Sequence, residues 1–228
     1  LKLSVIGNGS AVPTSFSNPS SQLLTNDTSQ FMFDCGEGTQ MQMIKHKIRH
    51  RKLDNIFISH LHGDHFYGLI GLISTFNLFG REKDLNIYAP EALVSLLEHL
   101  LEVSNTSLHF KMNIIPLEYK VDEALIDTNE FSISCFPLQH SVPTWGFVYR
   151  EKERARKISK EFVAKHKPSP EQIIGIKNGD DFIDTKGKRH LNIDITIASS
   201  PPLSYAYCSD TMYDESILEY IEGVSLLY

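Results

Sequence analysis

The sequence predicts an α/β layered fold. Short apolar strands alternate with helical stretches, several stretches are apolar over prolonged runs, and no unit repeats at a period of 20–50 residues. The chain has 228 residues, 41% hydrophobic and 22% charged. That is enough to bury a sizeable core and too apolar for a disordered chain. Leu3 to Ile6 reads as the first strand, followed by a turn at Gly7-Asn8-Gly9-Ser10 and a stretch kept irregular by Pro13 and Pro19. Gln22 to Thr25 and Gln30 to Phe33 read as a hairpin-like pair around Asn26-Asp27. Glu37 to about His50 has helical character, with Met41, Ile44 and Ile48 at helical spacing. Asn55 to Ser59 reads as a strand, and Phe66 to Phe76, apolar nearly all round, as a buried helix. Asn86 to Ala89 is a strand, and Pro90 opens a helix carrying Leu93, Leu96, Leu97, Leu100 and Leu101 as a core stripe. Strands follow near Lys111 to Ile115, Phe131 to Phe136, Gly146 to Tyr149, Ile193 to Ala198 and Tyr205 to Cys208. Asp214 to Ile221 is a short helix, and Val224 starts another strand.

Composition excludes several classes. No apolar run approaches the ~18 residues that span a bilayer, and no basic-then-apolar segment at the start reads as a signal peptide. The three cysteines, Cys35, Cys135 and Cys208, are far apart and without a CxxC pair, so a disulfide framework is not expected and a reducing cytoplasm fits. The net charge of −6 argues at first against a nucleic-acid partner. The charge is unevenly distributed, however. Residues 150–190 hold twelve Lys and Arg against seven Asp and Glu, a balance of +5, which leaves −11 on the rest. That stretch, with Pro168 and Pro170 in its middle, reads as an excursion from the core; a solvated amphipathic helix is the alternative. A second basic run, Lys45 to Lys52, is either a phosphate contact or an exposed helix end.

The segment Ile58-Ser59-His60-Leu61-His62-Gly63-Asp64-His65 is the richest in chemistry. It follows a strand and precedes a helix. Residues two apart in an extended segment point the same way, so His60 and His62 can grip one metal together, and a turn at Gly63 brings Asp64 and His65 towards a second. Imidazole plus carboxylate suits Zn²⁺ and also Mn²⁺ or Fe²⁺. His140 and Asp210 each follow a strand and complete the candidate set. Asp34 is either a turn residue or the acceptor that orients a ligating histidine. His46, His50, His99, His109, His166 and His190 read as solvated, and Cys208 as a buried core thiol. Gly7-Asn8-Gly9 lacks the third glycine and the following helix of a dinucleotide fingerprint.

The sequence resembles the metallo-β-lactamase fold superfamily, and within it the ribonuclease Z family of tRNA 3′-processing endoribonucleases. The His-x-His-x-Asp-His motif at residues 60–65 specifies only the superfamily. The opening Ile6 to Thr14, with its Gly-x-Gly-Ser-Ala-x-Pro-Thr pattern, and Asp34-Cys35-Gly36-Glu37-Gly38-Thr39-Gln40 narrow it to ribonuclease Z. His140 to Phe147 and Cys208 to Thr211 match in family order. The resemblance implies an αββα sandwich forming one metallo-hydrolase domain over residues 1–228, with residues 150–190 an inserted basic arm.

It also implies the roles of the site. His60, His62 and His140 would bind a first divalent ion, Asp64 and His65 a second, and Asp210 would bridge them. Zn²⁺ is the expected metal, and Asp64 is also expected to be catalytic. Two metals ~3.5–4 Å apart can hold a bridging hydroxide and stabilise both oxygens of an in-line phosphoryl displacement. The expected partner is precursor tRNA, from which the 3′ trailer is cut to leave a 3′-hydroxyl. Arg154, Arg156, Lys157, Lys160, Lys165 and Lys167 of the arm would contact it. A homodimer and a cytoplasmic location follow from the resemblance, with no membrane association. An alternative is a small-molecule phosphodiesterase or arylsulfatase of the superfamily; another is a non-catalytic RNA-binding protein.

Departures from the family pattern are also legible. Phe16-Ser17-Asn18 stands where the family has Arg before Asn. The sequence opens on Leu1 within an apolar alternation and stops at Tyr228 inside an apparent strand, so it reads as trimmed at both ends. A further ligating histidine and a His-Glu-x-Thr-Phe segment of the family, whose His is implicated in protonating the leaving oxygen, are not among these residues. A lone polypeptide of this extent is expected to bind the second metal weakly and cleave poorly.

Overall fold

The structure, a computed structural model, describes residues 1–118 and 124–228. Six strands form the first sheet in sequential order: β1 (Lys2–Gly7), β2 (Ser21–Thr25), β3 (Gln30–Phe33), β4 (Leu53–Phe57), β5 (Leu85–Ala89) and β6 (Met112–Pro116). β1 to β3 pair antiparallel, and β3 to β6 pair parallel through helical crossovers. The helices on this side are α1 (Thr39–Lys45), the single turn α2 (Gly63–Phe66), α3 (Leu69–Leu78) and α4 (Ala92–Val103).

The second sheet continues with β7 (Ala124–Asp127), β8 (Phe131–Leu138) and β9 (Thr144–Glu151). The chain then makes the excursion. It contains β10 (Lys157–Ile158), α5 (Lys160–His166), α6 (Pro170–Lys177), β11 (Phe182–Ile183), β12 (Arg189–His190), α7 (Asn192–Ile195) and β13 (Thr196–Ile197). It returns to the second sheet at β14 (Ser204–Tyr207), followed by α8 (Leu218–Ile221) and β15 (Leu226–Leu227). The second sheet is ordered β15-β14-β9-β8-β7.

Three apolar layers hold the body together. Leu23, Met32, Ile56 and Ile87 of the first sheet pack outward on Met43, Leu72, Ile73, Phe76, Leu93 and Leu97 of the helices. The opposite face meets the second sheet through an aromatic layer: Phe31, Phe33 and Phe57 lie against Phe131, Phe147, Tyr149, Tyr205 and Tyr207. The outer face of the second sheet, at Phe136 and Val148, is covered by Ile221 and Tyr220. Alternate residues of each strand serve opposite faces, so the two sheets carry apolar side chains on both sides. The result is the expected αββα sandwich, and no helix of the described residues is long and apolar enough to cross a membrane.

Several local expectations differ from the structure. The stretch expected to be helical to His50 is helical only over α1, which buries Thr39 and Met43 and leaves Met41 and Ile44 exposed. The Thr39 hydroxyl donates to the Gly36 carbonyl at 2.7 Å, so the preceding loop sets the helix's rotation. In α4 only Leu93 and Leu97 of the leucine stripe are buried, and Leu96 and Leu100 are exposed. Residues 193–198, expected as a strand of the body, divide between the end of the short helix α7 and the strand β13, which pairs with β10 inside the excursion rather than with the body. The excursion thus runs beyond His190, while Arg150 and Glu151 still belong to β9 and pair with the body.

Candidate metal centre

The C-terminal ends of β3, β4, β8 and β14 converge on one rim of the sandwich, and each delivers chain to the site. Leaving β4, the Ile58 amide donates to the Tyr88 carbonyl at 2.8 Å, and the Ser59 carbonyl accepts from the Trp145 amide at 3.0 Å. The segment bearing His60 and His62 is therefore locked between both sheets. α2 then carries Asp64 and His65. Gly63 serves close packing here: a Cβ on it would sit 2.2 Å from the Tyr67 ring. The loop after β3 presses on the same turn, with the Cys35 amide donating to the His65 carbonyl at 2.8 Å. A Cβ on Gly36 would lie 2.3 Å from the Asp64 carbonyl, so only glycine allows that approach. The loops of His140 and Asp210 are joined by the Met212 amide, which donates to the Gln139 carbonyl at 2.7 Å.

His60, His62, His140 and Asp210 bring ligand atoms within 4.8 Å of one another. His62 Nδ1 lies 3.1 Å from His60 Nε2 and 3.2 Å from His140 Nε2. One ring nitrogen carries either a proton or a lone pair in a single in-plane direction, so hydrogen bonding cannot serve both neighbours. A shared cation can, and metal–nitrogen bonds of ~2.0–2.1 Å span such a gap. Beside this cluster, His65 Nε2 lies 3.5 Å from Asp64 Oδ2 and 3.8 Å from Asp210 Oδ1. The other oxygen of Asp210 lies 3.7 Å from His140 Nε2. Asp210 therefore straddles two groups of donors, and the residues present fit two divalent ions.

Behind the ligands sits Asp34, fully buried and with a positive φ of 57°. Its Oδ1 accepts the Ser59 amide at 2.7 Å. Its Oδ2 accepts the Ser59 hydroxyl at 2.8 Å and the Tyr207 hydroxyl at 2.7 Å, and lies 2.7 Å from His65 Nδ1. The carboxylate holds the His65 proton on Nδ1 and leaves Nε2 facing Asp64 and Asp210. Ser59, having given its proton to Asp34, offers a lone pair to His60 Nδ1 at 3.0 Å, which turns His60 Nε2 towards His62. Of the two sequence readings of Asp34, the structure selects the orienting acceptor. Ser59, Tyr207 and the Ala11 amide, which donates to Asp64 Oδ2 at 2.8 Å, are site residues that sequence reasoning missed. Ser59 was visible as the small polar residue before the first histidine; Tyr207 and Ala11 carried no signal of their own.

The site's electrostatics divide by histidine. His60, wholly buried, is lowered to about 4, by burial first and then by the neighbouring His65. It stays neutral and able to ligate at physiological pH. Burial also works against protonation of His65, but the Asp34 hydrogen bond and the charges of Asp34, Asp64 and Asp210 outweigh it and raise its pKa. Cys208, expected to be a buried core thiol, is only half-buried, packed against the cluster around Phe136 and Ile221; that burial pushes its thiol up to about 11. A small polar cleft lined by Asn8, Ser10, Ser209 and Tyr228 opens beside His65 and Asp210.

None of the expected arm residues is among the donors that meet at this rim. Lys157, Lys160, Lys165 and Lys167 are exposed. Arg154 instead pairs with Asp27 of the β2–β3 turn at 3.3 Å, and Arg156 donates to Thr196 Oγ1 at 2.6 Å. These two side chains brace the base of the excursion. His50, expected to be solvated, stacks on Phe76 and Phe79; His166 and His190 are half-buried in the arm.

An αββα sandwich with histidines and aspartates on the rim between its sheets defines a protein of the metallo-β-lactamase fold. Solved structures agree: the Bacillus subtilis metallo-β-lactamase fold protein YhfI superposes with a TM-score of 0.62 at 19% identity, covering 99% of this chain and 69% of its own. Human tRNase Z, short form, superposes with a TM-score of 0.61 at 25% identity, covering 77% of this chain and 88% of its own. Ribonuclease Z of Bacteroides thetaiotaomicron is 40% identical over 227 residues, all of this chain and 72% of that protein. Ribonuclease Z of Bacteroides fragilis strain YCH46 is 39% identical over the same span and 75% of its length. The chain belongs to the ribonuclease Z family. A family model described as "Anti-Pycsar protein Apyc1" also matches residues 1–151, the portion that ends where β9 gives way to the excursion.

Proposed function

We propose that this chain is the body and arm of a metal-dependent endoribonuclease that removes the 3′ trailer from precursor tRNA. The observation that carries the reading is the extent of its similarity to the ribonucleases Z, which runs through both the histidine-rich rim and the basic excursion. His60, His62 and His140 hold one divalent ion, Asp64 and His65 a second, and Asp210 lies between them; Zn²⁺ suits this set of imidazoles and carboxylates. When bound, the ions lower the pKa of water and offset the negative charge of the phosphodiester. Asp34 keeps the His65 ring in one tautomer and one orientation, and Ser59 does the same for His60. The Ala11 amide holds Asp64 against rotation. The basic arm that follows β9 supplies phosphate contacts independent of sequence, as suits a substrate read by shape. Lys157, Lys160, Lys165, Lys167 and the exposed Arg154 make those contacts, while Arg156 is held within the arm by Thr196. The substrate places the enzyme in the cytoplasm, and the family's dimer, in which one subunit's arm presents tRNA to the other's site, is the assembly it would use.

The test is cleavage by the full-length protein of a precursor tRNA bearing a 3′ trailer, with Zn²⁺ supplied. The expected product is a tRNA ending in a 3′-hydroxyl, lost in His62→Ala and Asp210→Ala together with bound zinc. A protein that hydrolyses small phosphodiesters but leaves the trailer intact would instead support a small-molecule phosphodiesterase.

A further inference from the structure

The excursion contains a second cluster of ligand-type side chains, far in sequence from the rim. His166 ends α5, Asp184 sits in the turn between β11 and β12, and His190 lies on β12; one ligand atom of each falls within 4.8 Å of the other two. The Asp184 carboxylate is divided in its duties. Its Oδ1 accepts the amides of Lys186 at 2.9 Å and Lys188 at 3.0 Å, which close the turn. Its Oδ2 faces His190 Nε2 at 3.2 Å. The amide bonds, Lys188 first, and His190 bring its pKa down to about 2, so the carboxylate is ionised at any physiological pH. A turn held by two amides and one imidazole has no need of a second imidazole, yet the ring of His166 stands 4.7 Å from that of His190. Phe162 and Phe182 wall the other side, with Phe162 stacked 4.6 Å from His166.

We propose that His166, Asp184 and His190 bind a divalent cation of the zinc class, which staples the β11–β12 hairpin to α5. Two imidazoles and one carboxylate with a position left for water form a zinc-type donor set. The size of the arm gives the site a purpose. From β10 to β13 the excursion is about 40 residues, a length at which a hydrophobic core alone is marginal and metals or disulfides commonly supplement it. Its buried apolar residues are Phe162, Ile176, Phe182 and Ile195. The ion would join three elements that meet at the edge of that core.

The experiment is zinc binding by the protein and by His166→Gln, read by metal analysis after equilibrium dialysis against Zn²⁺. His166→Gln is expected to hold one zinc fewer per chain, as is His190→Gln, while both retain the zinc bound at the rim. A zinc count equal to that of the unaltered protein would overturn the site. Trypsin cleavage after Lys186, Lys188 and Arg189 tests the staple. With Zn²⁺ at ten times its dissociation constant, opening of the hairpin should fall about tenfold in the unaltered protein and should not change in His166→Gln. Equal cleavage of the two proteins without zinc shows that the variant arm is folded. Cleavage of the unaltered protein that ignores zinc overturns the staple.

Discussion

The body and the arm are stabilised in different ways. In the body, two sheets and two helical layers bury an aromatic interior, and the polar site is built into that interior around Asp34. Four donors meet that one buried carboxylate, so the site and the core share the same residues. The arm buries few side chains and is tied by polar struts: Arg154 to Asp27 at its base, Asn192 to the Ile176 and Asp180 carbonyls within it. Charge is divided along similar lines, +5 over residues 150–190 and −11 over the rest. Metal ligation requires carboxylates and rigid walls, and phosphate contact requires exposed cations on a projecting element. On this chain the cluster of histidines and aspartates and the exposed lysines lie on different elements of the fold.

The largest effect that tests this comparison is expected at Asp34. Asp34→Ala leaves Ser59, Tyr207 and His65 facing a void, and breaking a buried polar hub of this kind costs about 3–5 kcal/mol. Urea unfolding of the metal-free protein should show that loss, and metal content should fall with it. A loss below about 1 kcal/mol would mean the site is not part of the body's support. In the arm, Phe162→Ala removes a side chain from the small apolar cluster and should cost about 3 kcal/mol locally. Hydrogen exchange should then quicken throughout β10 to β13 while body amides keep their protection. Equal loss in both regions would show that they unfold as one unit.

A smaller effect is expected from Lys160, Lys165 and Lys167 changed together to Ala. Loss of three phosphate contacts should flatten the slope of log affinity for tRNA against log salt by about 2–3, with small phosphodiester hydrolysis unchanged. The smallest is a pH effect confined to the metal-free body. His60 titrates at about 4 when folded, below its ordinary value, so its contribution is lost as pH falls from 6.5 towards 4. His65 is raised, so its contribution is complete below 6.5 and is lost as pH rises through its folded value. Thermal stability from this pair should therefore peak near pH 6.5, and Asp34→Asn should remove the fall on the alkaline side.

Much of the body could be read in order from the sequence. The strands from β1 to β5 and the helix α4 follow from apolar runs between turn residues, and the grouping of His60, His62, Asp64 and His65 follows from spacing alone. What escaped was set by loop and packing contacts that the residue pattern does not display. Met41 and Ile44 had helical spacing, but the loop that caps α1 turned them to solvent. Residues 193–198 had the composition of a strand, but the arm's own core drew the first of them into α7 and left only Thr196–Ile197 as strand, paired within the arm.

The sequence by itself determined the chemistry available on this chain: which donors stand at the strand ends, and that one stretch of the chain is basic while the rest is acidic. Local spacing is enough for that, because neighbours in an extended segment have few directions to point. Only the tertiary structure decided how donors from distant segments combine. It brought His140 and Asp210 to the rim, chose the orienting role of Asp34, and joined His166 to Asp184 and His190 within the arm. Those choices depend on how the two sheets close and how the arm folds on itself, and packing between segments far apart in the chain sets both.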